Sequence, residues 1–534
     1  MGFFMSIKIF FGVLSAVAFY LGISSCHPVL AGTVMPPVTE SARAFFQRFD
    51  ANPNAVMNEV PAKYNSQGQR IYRNKFNFKN VSNGKFIEAK DQFRNQFCPQ
   101  NKAGQACVPE SQNRFYAGYD WSNRPTTFLE DGEDPTTYSS IQNLKVLSDK
   151  AGFQGKAATQ PWSGDYWPTY KGGIGSRLYD ERFPVSMDWK DYWNFYTGIM
   201  SIELQSNMYE KGYNSLSPAE KYDILLGLDK HSLTTWSWSE SKSNENSDGI
   251  VETWFGLCHG WAPASFMVPR PTTTTEVALA DGNTIKFYPD DIKALATLAW
   301  ARNRTYDSDN FMGGRCNDKA PKKDNKGRII SSECWDVNPG AWHVAVLNRL
   351  GVDKKSFVLD ATYDYEVWNQ PINSFQVRYF NLNTKEEFNN PKDAVIKKSE
   401  FSKDVFKSYR NRSYKNIVGV KMTIGYMSET LGSAAEFDDP QYDHIEHVTY
   451  MYDLELDDDS NIIGGEWYNN AHPDFIWYPK TGTEAKSISE YKTSLTDWKL
   501  GQPLTTEQKQ AITNDANNGY PFIQIIEKLL NKDK

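Results

Sequence analysis

The chain has 534 residues, of which 40% are hydrophobic, 14% aromatic and 23% charged, a composition that can bury a core and excludes a disordered polymer. Its formal net charge of -7, with no long basic run, excludes a nucleic-acid surface, which needs cations concentrated against phosphate. One compact domain is not expected at this length; two or three lobes of roughly 100–200 residues each are.

Lys8, the apolar stretch over residues 9–23 and then Val29-Leu30-Ala31-Gly32 read as an export signal over residues 1–31, which makes the mature chain a secreted one. The stretch is too short for a spanning helix, which needs about 20 apolar residues. An alternative takes Ile23-Ser24-Ser25-Cys26 as a lipobox, so that the protein meets a membrane only through a lipidated Cys26.

Residues 32–150 are polar, rich in Asn and Gln, and interrupted by prolines, as in an accessory lobe or pro-segment. Within them Ala42, Phe45, Phe46 and Phe49 recur at helical spacing and predict a short helix over 41–49. The character changes at the aromatic, turn-rich run Trp162-Ser163-Gly164-Asp165-Tyr166-Trp167-Pro168-Thr169-Tyr170. A catalytic domain is therefore placed over 151–480, with a C-terminal helical tail over 481–534.

Ser217, Pro218 and Glu220 form a capping pattern with proline at the first helical position, predicting a helix over 216–227. Another short helix follows Cys258, with Pro263 tolerated only in its first turn. Runs 276–280 and 284–288 alternate on either side of Asp281-Gly282, the pattern of a β-hairpin, and 290–302 reads as a helix. Runs 342–350 and 355–361 read as an adjacent antiparallel pair joined by Gly351-Val352-Asp353-Lys354. Strands are expected again over 414–427 and 447–456, the latter turning at Asp457-Asp458-Asp459-Ser460-Asn461 into 462–467, and a helix over 523–530 follows. No internal repeat is evident. The class is α+β.

The six cysteines are Cys26, Cys98, Cys107, Cys258, Cys316 and Cys334. Cys26 leaves with the signal or is lipidated, and an odd remainder in an exported chain implies a free thiol. Cys98 with Cys107, and Cys316 with Cys334, can each close a short loop, which leaves Cys258. Its surroundings read Thr253-Trp254-Phe255-Gly256-Leu257-Cys258-His259-Gly260-Trp261-Ala262. Free cysteines are commonly buried structural residues. Glycines and two tryptophans around this one favour a reactive thiol.

A thiol attacks as thiolate and needs a histidine or a helix N-terminus to ionise it. His343 and Asp360 fall on the two expected neighbouring strands, where the carboxylate would hold the imidazole and stabilise imidazolium. A core histidine is the ordinary alternative for His343. His259 is a secondary candidate base, although adjacent side chains diverge on either a helix or a strand. Asp443, His444, Glu446 and His447 make a weak metal set without a third His or Cys, and are read as surface residues. The acidic turn at 457–461 lacks the glycine and glutamate of a calcium loop and is read as a solvated hairpin turn. No cofactor is expected, and calcium has only weak support.

Tyr365-Glu366-Val367-Trp368-Asn369-Gln370-Pro371-Ile372-Asn373-Ser374-Phe375 closely resembles the surface peptide by which plants recognise the transglutaminases of Phytophthora. Together with the segments around Cys258 and over residues 162–173, it makes the chain similar to the transglutaminase elicitor family, which has oomycete and marine bacterial members; the signal type points to the bacterial branch. The resemblance implies a papain-like, transglutaminase-like core. It also implies acyl transfer: Cys258 attacks a glutamine carboxamide, ammonia leaves, and a lysine amine resolves the thioester into an isopeptide bond. Partners would be proteins supplying glutamine and lysine, with His343 as base and Asp360 as its orienter. Animal transglutaminases carry Gln before and Trp after the nucleophile, where this chain has Leu257 and His259. The Trp254 indole and the Cys258 backbone N–H are candidate oxyanion donors, with Trp261 a further channel candidate. Two alternatives stay open: a cysteine peptidase or amidase with water as acceptor, and a non-catalytic binding module whose exposed aromatic string is the working surface.

Overall fold

A computed structural model describes residues 40–71, 129, 140–228, 230–303, 309–316, 318, 320–362 and 366–531. All of them belong to one compact unit, Met35–Lys534. The expected signal segment, Cys26, and the expected Cys98–Cys107 pair lie outside the described residues.

In chain order the elements are α1 (Ala42–Ala51), α2 (Pro53–Met57), β1 (Lys63–Tyr64), β2 (Arg70–Ile71), α3 (Leu144–Ala151), β3 (Gln154–Lys156), α4 (Trp189–Phe195), α5 (Ser201–Ser206), α6 (Pro218–Leu225), α7 (Ser232–Ser243) and α8 (Cys258–Met267). There follow β4 (Thr275–Ala278), β5 (Thr284–Phe287), α9 (Pro289–Arg302), β6 (Asp309–Gly313), α10 (Pro339–Ala345), β7 (Val358–Asp360), β8 (Asn369–Phe380), β9 (Glu387–Phe388) and β10 (Ile396–Lys397). The chain continues through β11 (Asn416–Met427), β12 (Ile445–Leu456), β13 (Ile462–Gly464), β14 (Phe475–Pro479), α11 (Thr506–Ala516) and α12 (Ile523–Leu530). Helices and an antiparallel sheet are thus mixed in one fold. Among the described residues no helix is long and apolar enough to cross a membrane.

The sheet runs β2-β1-β12-β11-β8-β7-β14-β6, every neighbour antiparallel. Its three long central strands bury both faces, because alternate side chains enter different cores. Val418, Val420, Met422 and Ile424 on β11, with Tyr450, Tyr452 and Leu454 on β12, pack with Leu144 and Leu147 of α3 and with Ala341 and Val344 of α10. On the other face Ile417, Met451 and Phe380 receive Phe45, Phe46 and Phe49 of α1. The phenylalanine spacing that predicts α1 is therefore the spacing of its buried stripe, and Ser41 caps it by accepting from the Ala44 N–H.

Other expectations hold locally. Ser217 and Glu220 form the reciprocal capping box of α6. β4 and β5 pair Thr275 with Phe287 and Ala278 with Thr284, and Gly282 takes the left-handed φ of 87° in their turn. α9 and α12 occur where helices are expected. In the turn after β12, Asp457 closes the loop on itself by accepting from the Asp459 and Asn461 N–H groups at 3.0 and 2.8 Å. Cys316 and Cys334 form the expected disulfide.

Three expectations are corrected. Residues 342–350 are not a strand: Asn338 caps α10 by accepting from Gly340 N–H at 2.8 Å with Pro339 at the first position, and a wider π turn carries the helix through residues 346–352. The apolar run there is buried all round, so its periodicity does not reveal the helix. Pro263 lies in the second turn of α8, because the helix begins at Cys258 itself. The aromatic string, in its described part, is not exposed: Val367, Asn369, Gln370 and Ile372 are buried as β8 runs between β7 and β11.

The helix α8 packs tightly on α9, and Gly260 is where they meet. A Cβ there would lie 2.2 Å from the Thr297 carbonyl oxygen and 2.6 Å from the Ala301 Cβ. Gly260→Ala is expected to cost about 1–3 kcal/mol through overpacking, read as a lower denaturation midpoint. A midpoint equal to the parent's would mean that α8 shifts off α9 without penalty.

Candidate functional site

The start of α8 is held from two sides. The Leu257 N–H donates to the Tyr166 carbonyl at 2.6 Å, and the Thr169 N–H donates to the Phe255 carbonyl at 2.8 Å, so segment 162–170 straps the turn before the helix. Gly256 permits this approach, since a Cβ would lie 2.6 Å from the Tyr166 carbonyl oxygen. Trp261 is fully buried and gives its indole N–H to the Trp162 carbonyl at 3.3 Å. It is a packing residue of the strap in this structure, not the wall of a channel. The Trp254 indole N–H is donated to the Glu252 carboxylate, which takes it from the oxyanion role offered above.

Cys258 is the first residue of α8, only 5% exposed, and among the described residues the one free thiol. Its Sγ lies 3.8 Å from the Val367 carbonyl oxygen and receives the Asn369 side-chain N–H at 3.5 Å. Asn369 in turn accepts from the Trp477 indole N–H at 2.8 Å. Burial is the largest influence on the thiol and pushes its pKa up to about 11, the Asn369 hydrogen bonds opposing. The rings of Tyr166, on the strap, and Trp368, next to Asn369 in the chain, meet with centroids 5.1 Å apart.

Asp360 sits opposite Asn369 in the β7–β8 ladder. Directly opposed residues present their side chains to the same face, and here that face carries Asn369 to the thiol. One carboxylate oxygen of Asp360 accepts from Trp368 N–H at 3.0 Å and from the Thr362 hydroxyl at 2.8 Å. The other is buried and has no hydrogen-bond partner among the described residues. Burial raises the pKa of Asp360 to about 7, Arg315 acting in the opposite sense. Asp336 and Asp474, also buried, are raised well above the usual carboxylate range, first by burial and then by neighbouring aspartates: Asp360 on Asp336, and both Asp336 and Asp360 on Asp474. Asp336 holds a left-handed φ of 56°, an uncommon conformation for a residue with a Cβ. It follows the Cys316–Cys334 disulfide closely in sequence, and Arg315, beside that bridge, lies over the Trp254 ring at 5.9 Å.

His343 does not join this group. Lying on α10 rather than a strand, it is fully buried among the aromatic residues of the sheet core, with Nδ1 2.8 Å from the Tyr452 hydroxyl and Nε2 3.3 Å from the Tyr379 hydroxyl. Both ring nitrogens are taken by tyrosines, so the expected pairing with Asp360 is absent. Burial lowers its pKa to about 3, and it is neutral. His259, second in α8, points about 100° round the helix from the thiol. Glu446 and His447 are buried rather than superficial. Glu446 accepts from the Tyr426 hydroxyl at 2.9 Å, and Asp443 accepts from Arg270 and Gln160. Among the described residues no group of three His, Cys, Asp or Glu is placed to hold a metal ion.

The residues that sequence reasoning did not single out are Asn369, Trp477, Asp336 and Asp474. Asn369 stands in the quoted string but shows its role only through strand register, and the other three arrive from chain segments remote from Cys258.

A family model described as "Transglutaminase elicitor" matches residues 136–500. No curated protein matches the chain. Among solved structures it is similar to the crystal structure of the GP42 transglutaminase from Phytophthora sojae, at 21% identity and a TM-score of 0.41, covering 71% of this chain and 98% of that one.

The buried carboxyls predict how stability depends on pH. Above the ordinary histidine value of 6.5, His343 is neutral in both folded and unfolded chains and adds no slope. The raised aspartates still hold protons in the folded state that the unfolded chain has lost, so stability falls as pH rises through their folded values. Asp474→Asn removes one such group and relieves its neighbours. It is expected to lose less stability than the parent between about pH 6.5 and pH 8, by on the order of 1 kcal/mol in denaturation midpoints. Equal slopes would contradict the mutual influence of the three carboxyls.

Proposed function

The chain belongs to the transglutaminase elicitor family, and we propose that it is a secreted protein-glutamine γ-glutamyltransferase built on a transglutaminase-like, papain-like core. In this reading residues 1–31 direct export, residues 32–150 form an accessory or pro-segment lobe, and the reaction belongs to the region over 151–480. The observation that carries it is Cys258 at the start of α8, between the Asn369 amide at the start of β8 and the Val367 carbonyl just before that strand.

Sγ attacks the carboxamide carbon of a glutamine, forming an S–C bond while the carbonyl electron pair moves on to oxygen. The pair returns, the C–N bond breaks, and ammonia departs carrying the thiol proton. A lysine amine then attacks the thioester, loses its own proton, and restores the thiol. A proton must be held between these steps. Asp360 is the group we assign to hold it: its pKa of about 7 suits proton exchange near neutrality, and its second carboxylate oxygen has no competing donor among the described residues. This replaces the imidazole relay, since both nitrogens of His343 are engaged elsewhere.

The aromatic walls favour an amine over water as acceptor. Trp254, Val367, Phe475 and Trp477 pack together with Phe255 and Trp368 alongside them, in a lining that excludes water from a thioester.

Three variants test the assignment through incorporation of a fluorescent amine into casein. Cys258→Ala is expected to abolish it. Asp360→Asn, which keeps an acceptor oxygen for Trp368, is expected to lower turnover by about 100-fold or more. His343→Gln, if folded, is expected to stay within about tenfold of the parent, below the typical gain from a general base. Incorporation surviving Cys258→Ala would overturn the function, and a loss in His343→Gln equal to that in Asp360→Asn would return the base to histidine. Ammonia release that proceeds without amine and yields glutamate would identify a hydrolase.

A further inference from the structure

Asn369 is a fully buried polar residue at the start of β8, and such a side chain is costly unless its hydrogen bonds are made. Here they are made in one sense only. An indole N–H donates and never accepts, so Trp477 fixes the amide oxygen of Asn369 toward itself at 2.8 Å and leaves the NH2 facing Sγ at 3.5 Å. The register supports the placement, since β14 pairs Trp477 with Val358 and β7 pairs Val358 with Pro371, which sets the indole beside the start of β8.

The sulfur therefore meets groups of opposite polarity, the Val367 carbonyl as acceptor and Asn369 as donor through its side-chain NH2 and its backbone N–H. The Val367 carbonyl at 3.8 Å can take a hydrogen bond only from the protonated thiol. Once the proton leaves, that carbonyl repels the anion, and the Asn369 NH2 becomes its side-chain hydrogen-bond donor beside the Asn369 backbone N–H. As the first residue of α8, Cys258 also has a backbone N–H with no intrahelical acceptor. The Trp254 indole, by contrast, is committed to Glu252.

We propose that Asn369 is a catalytic residue whose side-chain NH2, aimed by Trp477 as its positioning residue, stabilises first the Cys258 thiolate and then, with the Cys258 backbone N–H, the oxyanion of the tetrahedral intermediate. The second half of this assignment rests on the glutamine-transfer reading above; the first half concerns the thiol alone. As the S–C bond forms, the carbonyl pair passes to the substrate oxygen, and the amide shifts its hydrogen bond from sulfur to that oxygen. As the C–N bond breaks the pair returns, and the donor is released. No co-reactant beyond the glutamine and amine is needed.

The test uses the full chain and two readouts. Thiolate absorbance against pH, taken as the difference between each protein and its own Cys258→Ala counterpart, reports ionisation of the sulfur whether or not the protein transfers glutamine. Asn369→Ala is expected to move that midpoint up by about one unit, and the near-isosteric Asn369→Asp to move it at least as far, because a carboxylate faces the anion. Trp477→Phe, which lets the amide turn over, is expected to shift it the same way by less. In amine incorporation, the Asn369 variants are expected to lower kcat by about 100–1,000-fold with KM little changed. Midpoints equal to the parent's in both folded Asn369 variants would overturn the thiolate assignment, and shifted midpoints with kcat unchanged would overturn the oxyanion assignment. A parent that shows no amine incorporation, together with the expected midpoint shifts, would refute the transferase reading and the oxyanion role while retaining the donor to sulfur.

Discussion

The site depends on a cross-strand register, Asp360 opposite Asn369 where β7 meets β8. The side-chain period of a strand is two, so a slip of one residue would turn both groups to the other face of the sheet. Held as it is, the register sets a carboxylate and an amide on the face that carries the Cys258 thiol. Trp368 N–H bonds Asp360 across the same turn, and Ala361 N–H returns to the Trp368 carbonyl at 2.9 Å. The hairpin is thus closed by the residue it positions.

The thiol has to be brought to that face and kept dry, and close backbone approach does both. Gly256 admits the strap at residues 162–170 just before α8, and Gly260 admits α9 within its first turn. The cost falls on ionisation. A fully buried sulfur resists becoming an anion, and three aspartates near one another resist it too. An amide aimed at sulfur and a carboxyl that titrates near neutrality are the features that oppose that cost. The Cys316–Cys334 bridge lies at the edge of the same cluster, tying the turn that carries Asp336 to the segment that carries Arg315.

Much of the frame is legible in the amino acids because its determinants are local. Phe45, Phe46 and Phe49 announce the buried stripe of α1, Ser217 and Glu220 announce a helix start, and Asp281-Gly282 announces a hairpin. The thiol stands out by elimination: Cys316 bonds Cys334 as that elimination requires, and the Cys98–Cys107 pair it also requires lies outside the described residues. The partners of the thiol are not legible in the sequence, for a physical reason. The run from Trp342 to Leu350 is apolar all round, so it carries no clear helical or strand period, and the cap at Asn338-Pro339 was the better signal. A strand there would set His343 beside Asp360, whereas the helix carries it to Tyr452 and Tyr379. Asn369 and Trp477 were beyond sequence reasoning, since their meeting depends on β14 pairing with β7 from over a hundred residues away.

The central claim is that Cys258 carries an acyl group between glutamine and an amine. Its most direct test is to mix the protein with a glutamine-containing donor peptide, quench, digest and weigh the Cys258 peptide, with and without a lysine analogue. The account predicts a thioester adduct on Cys258, heavier by the donor peptide less ammonia, that disappears when the amine is present as the cross-linked product forms. An adduct on another residue, or a product formed with no adduct traceable to Cys258, would contradict it.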